Sequence, residues 1–182
     1  MTRPPSTYAE WVACLEAFER GEKDEEALFL MEQGRLEWTP GVAERFMRRL
    51  SDTMNERLDE LQRRMARDFA YAQGTETELV RTLMAARRRF GLLHRLASIP
   101  ALPGEVGASL KEMIGTVVRQ TQNSLEDSAK TDWTGKLRLI IRNNPLTTFD
   151  HPEALESAKR EQQAALQQTA ASFTSRRRVI LP

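Results

Sequence analysis

Arginine is the residue type with the most chemistry to offer in this chain. It supplies 22 of the 27 basic residues, and its planar fork suits phosphate and carboxylate groups. The densest run is Arg87-Arg88-Arg89. Three consecutive helical residues spread over about 200° of a helix surface, so the run cannot grip one ligand. Arg88 shares a face at seven-residue spacing with Arg81 on one side and Arg95 on the other. These three form a candidate interaction surface for phosphates. A solvated or internally paired face is the plainer reading of the same spacing. A second run, Arg176-Arg177-Arg178, lies in a tail expected to be disordered over residues 174–182. Such a tail can contact phosphates nonspecifically through counterion release, although a solubilising role explains it as well.

Other reactive residues are scarce. The histidines are His94 and His151 only, and the residues three before them are Gly91 and Thr148. That spacing excludes the Glu-x-x-His pairs of a helical di-iron centre. There is no Cys-x-x-Cys and no His-Glu-x-x-His, so no metal and no cofactor is expected. Glu56, Asp59 and Glu60 cluster on one helix, where a solvated face paired with arginines explains them better than a cation site. Cys14 falls at helical spacing with Trp11, Leu15 and Phe18, which reads as a small core residue rather than a nucleophile. The phosphate-cradling Gly-x4-Gly-Lys-Ser/Thr motif and the dinucleotide Gly-x-Gly-x-x-Gly motif are both absent. His94 and Trp133, each in an apolar setting, mark a candidate pocket between helices. Trp11, Trp38 and Trp133 are spread over three elements and make no base-stacking platform. Met47, Met54 and Met65 could line an adaptable groove, but gap-filling in a core is the ordinary role of such a stripe.

The elements that must position these groups are helical throughout. Thr7 and Glu10 form a capping box that opens a first helix, stopped by Gly21. An acidic helix follows from about Asp24 to Gln33, with Gly34 placed as a left-handed C-terminal cap. Thr39-Pro40 begins a long helix. Ala43, Met47, Leu50, Met54, Leu58, Leu61 and Met65 form its stripe, at spacings 4, 3, 4, 4, 3, 4. Phe46 lies off that stripe and should face another neighbour, plausibly the first helix. Thr75 and Glu78 open the next helix, whose Leu79, Leu83, Ala86, Phe90, Leu93 and Ala97 make a heptad seam. The short connection implies an antiparallel hairpin of 39–73 with 75–97. Roughly 35 residues of helix would measure about 52 Å, against about 41 Å for a compact sphere of this chain length. An elongated bundle, a bent helix or a helix with a projecting end is therefore expected.

Pro100 and Pro103-Gly104 break the chain before a helix over 105–129. Asp132 can cap a shorter helix bearing Trp133, Leu137, Ile140 and Ile141; the same stretch could be a strand, but a lone strand is unstable. A peripheral helix with a thin apolar face is expected over 152–173. The fold expectation is all-α, with residues 1–173 as one helical domain.

Composition bounds the rest. Of 182 residues, 40% are hydrophobic and 29% charged, with a formal net charge of +1. These values exclude a disordered chain, and one cysteine excludes a disulfide scaffold. The near-zero charge argues against bulk attraction to nucleic acid or membrane. No apolar stretch approaches membrane-spanning length, and the first residues lack an apolar leader. A cytoplasmic location is expected. Charge is nevertheless segregated: residues 1–38 carry a net −5 and residues 39–98 a net +4. The two segments should attract, within one chain or between chains.

Three functions remain. The first is a non-enzymatic interaction or regulatory protein acting as a homo-oligomer with a further protein partner. The second, less favoured, is a nucleic-acid-associated regulator using the arginines. The third is a small-ligand binder or enzyme with the His94–Trp133 pocket.

Overall fold

The computed structural model describes residues 3–21, 23–71, 75–131 and 135–149. The expected helix over 152–173 and the tail over 174–182 lie outside the described residues. All described elements belong to one compact unit, Met1–Asp150. They are helices and helical turns, with no strand among the described residues. In order they are α1 (Tyr8–Arg20), α2 (Asp24–Glu32), α3 (Pro40–Tyr71), α4 (Glu76–Leu96), α5 (Gly104–Ser128) and α6 (Lys136–Asn143). Short 3-10 turns at Ala129–Thr131 and Leu146–Thr148 follow α5 and α6.

The caps explain the boundaries. Thr7 accepts from the Glu10 backbone N–H while the Glu10 carboxylate reaches back to the N–H groups of Ser6 and Thr7. Gly21 ends α1 in the left-handed region at φ 70°, which a glycine adopts without Cβ strain. Thr75 accepts from the Glu78 N–H at the start of α4. The segment around Leu137 is helical, and α6 starts at Lys136 behind Gly135 rather than at Asp132.

Gly34 departs from the expected role. Its φ is not positive, so it is no left-handed cap. A Cβ there would stand 2.8 Å from Pro5 Cγ and 2.8 Å from Trp11 Cζ2. The glycine exists because the N-terminal segment crosses the chain at that point. The Arg35 N–H donates to the Pro5 carbonyl, and the Trp11 indole donates to the Arg35 carbonyl at 3.1 Å.

The core follows the stripes. Leu50, Met54, Leu58, Leu61 and Met65 of α3 are buried, with Ala43 and Met47 half-buried at its start. Met54 and Met65 thus fill the core rather than line a groove. Leu79, Leu83, Ala86, Phe90, Leu93 and Ala97 form the buried seam of α4 and its end. Trp38, just before α3, donates to the carbonyl of Ala101, just after α4, so the two helices pack with opposite direction. Phe46 faces α1: its ring meets Tyr8, Trp11 and Trp38 edge-on at 5.6–6.5 Å between centroids. Helix α5 closes the other side through Leu110, Ile114, Val118 and Leu125. Gly107 admits the Ala97 carbonyl, which would lie 2.7 Å from a Cβ.

Candidate functional site

The acidic α2 lies along the basic α4, and its carboxylates meet the arginines of the expected interaction face. Arg88 pairs with Glu25. Arg95 grips Glu32 with both oxygens, at 2.9 and 3.0 Å. Both pairs join residues 63 apart, so α2 and α4 run parallel in this contact. The charge segregation read from the sequence is satisfied within one chain. Arg88 lowers the pKa of Glu25 by hydrogen bond and charge, and Glu25 raises that of Arg88 in return. Arg81 is exposed on the first half of α4. Arg176, Arg177 and Arg178 lie outside the described residues.

The run Arg87-Arg88-Arg89 divides as helix geometry requires. Arg87 is buried and donates to the Thr148 hydroxyl at 3.2 Å. Arg88 turns to α2. Arg89 is half-buried toward α3, where burial first, then the like charges of Arg64 and Arg57, lower its pKa.

His94 is half-buried, with its ring edge-on to Phe149 at 5.5 Å. Gly91, one turn earlier, lets the Phe149 carbonyl come within 3.1 Å of where a Cβ would be. Trp133 lies outside the described residues. The contact of His94 with Phe149 docks the chain just after the last 3-10 turn on α4. Cys14 is 1% exposed, and burial pushes its thiol pKa up, which disfavours the thiolate a nucleophile needs. Among the described residues no group of three or more His, Cys, Asp or Glu could hold a metal ion. No helix among them is long and apolar enough to cross a membrane.

Two polar clusters on the α1–α3 side were not legible as clusters in the sequence. Arg49 of α3 lies 3.4 Å from both Glu16 and Glu19 of α1. Arg57 donates to Asp24 at 2.7 Å and to Glu60 at 3.1 Å, with its guanidinium 5.4 Å from the centre of the Phe18 ring. Arg57 also borders a polar cavity of about 160 Å³ shared by α1, α2, α3 and α4. The only signal in the sequence was the opposite charge of the two segments, which names no partners.

Among the described residues three large apolar side chains are exposed: Phe29 of α2 at 56%, Leu139 of α6 at 58% and Met84 of α4 at 38%. Phe29 shares a face with Glu25 and Glu32, one turn after the first and just before the second, so it sits between the two ion pairs to α4. Set against known protein families, curated proteins and solved structures, the chain matches none of them.

Proposed function

We propose that this chain is a non-enzymatic helical interaction or regulatory protein that acts through self-association and partner binding. The observation that supports it is Phe29, an exposed aromatic ring flanked by the Glu25–Arg88 and Glu32–Arg95 pairs. An aromatic anchor ringed by polar groups is the usual anatomy of an interface hot spot. The same pairs count against the nucleic-acid reading. Arg88 and Arg95 would have to leave Glu25 and Glu32 before meeting a phosphate, so that reading has less support. A cytoplasmic setting goes with the proposal, since the single cysteine is buried and reduced thiols suit that compartment.

Light scattering after size exclusion tests the proposal. The wild-type chain is expected to run as a defined oligomer, and Phe29→Asp as a monomer with unchanged helix content. A wild-type monomer at every accessible concentration would overturn self-association. An oligomer that Phe29→Asp leaves intact would remove Phe29 from the interface.

A further inference from the structure

The cavity beside Arg57 has an unbalanced charge. Its polar wall is Arg20, Asp24, Arg57, Glu60, Arg64 and Arg89, four guanidinium groups against two carboxylates. Both carboxylates are already engaged by Arg57. Among the described residues the acid that Arg64 pairs with is Asp68, at 3.8 Å, which is not on the wall. Among the described residues Arg89 makes no hydrogen bond and no ion pair, although it is half-buried. Its charge is opposed by burial and by its arginine neighbours. Glu60 and Asp68 offset part of that opposition, and Arg89, on the cavity wall, has its donors free to meet a ligand. An anion in the cavity would give them a partner.

We infer that the cavity binds a tetrahedral oxyanion, the phosphate group of a small molecule, between Arg64 and Arg89 with Arg20 as the third cation. Arginine forks match phosphate oxygens in geometry as well as charge. The volume of about 160 Å³ is well above the roughly 10–15 Å³ that one water needs, so a phosphate group fits. Arg57 is not spent on the ligand; its bonds to Asp24 and Glu60 hold the wall in place. The inference uses different residues from the self-association proposal, and either can fail without the other.

Calorimetric titration of the full chain with inorganic phosphate and with glycerol phosphate, at ionic strength held constant with chloride, tests it. One saturable site per chain is expected for at least one of the two. Tighter binding of glycerol phosphate would mean that the group belongs to a larger ligand; tighter binding of inorganic phosphate, that the free ion is the ligand. Arg89→Gln and Arg64→Gln should each weaken binding by about tenfold or more, while Arg119→Gln, an exposed change on α5, should leave it unaltered. In phosphate-free buffer Arg89→Gln should keep the helix content of wild type, so that lost binding is not lost folding. If Arg89→Gln does not fold, Arg64→Gln decides. No saturable binding of either compound up to about 10 mM would overturn the inference, including the case in which only an oligonucleotide binds. Wild-type affinity in folded Arg89→Gln would overturn it equally.

Discussion

At the scale of single residues, the arginines show how position rather than type sets the role. Arg87, Arg88 and Arg89 are identical and adjacent, yet one is buried on Thr148, one pairs with Glu25 and one faces a cavity. The rotation of about 100° per helical residue sends each to a different neighbour. Glu10 shows the same dependence on surroundings. It accepts from the Ser6 and Thr7 backbone N–H groups and pairs with Arg3. The backbone bond from Ser6, then Arg3, then Thr7 hold its pKa at about 2, against an ordinary 4.5. A depressed carboxylate pKa stabilises the fold fully above the unfolded value, and that contribution is lost as pH falls through the folded value. Acid titration followed by circular dichroism should therefore show wild type losing stability between about pH 4.5 and 2. Glu10→Gln should begin less stable at neutral pH and have a shallower slope across that window. An unchanged slope would mean that the cap is not the group titrating.

At the scale of elements, apolar burial holds the helices and charge aligns them. Leu28 and Met31 of α2 are fully buried, and each such side chain contributes about 1.5–3 kcal/mol. The pair from α2 to Arg88 is largely solvent-exposed and the pair to Arg95 partly so, and screening leaves such ion pairs weak. They fix which turn of α2 lies beside which turn of α4. The junction at Gly34 is steric rather than electrostatic. A methyl group there would meet Pro5 and Trp11 at 2.8 Å, and forced overpacking costs about 1–3 kcal/mol. Gly34→Ala should lower the denaturation midpoint by that amount while Gly41→Ala, in open space, should not. Equal effects of the two would show that the N-terminal segment is not held against Trp11.

At the scale of the whole unit, Phe46 joins parts that are far apart in sequence. Its ring meets Tyr8 and Trp11 from α1 and Trp38 from the following connection. Truncating a fully buried phenylalanine removes about 3–5 kcal/mol, a large share of the roughly 5–15 kcal/mol that holds a typical domain. Phe46→Ala should show this loss in urea unfolding, and Phe46→Leu, which keeps much of the volume, should recover part of it. A loss below about 1 kcal/mol would mean that the aromatic cluster is peripheral to stability. Much of this architecture was legible in the chain itself. The stripe of α3, the seam of α4, the capping boxes and the placement of Phe46 off the stripe all follow from 3.6-residue periodicity and from local backbone hydrogen bonding. Those signals lie within one element, so sequence carries them. The partners of the arginines, the close approach behind Gly34 and the cavity at Arg89 depend on residues tens of positions apart. Segment charge said that residues 1–38 and 39–98 should attract, within one chain or between chains, but not that Glu25 would take Arg88 and leave Arg89 on the wall of a cavity. Periodicity fixes which face of a helix is apolar; only packing in three dimensions decides what each polar side chain on the other faces will meet.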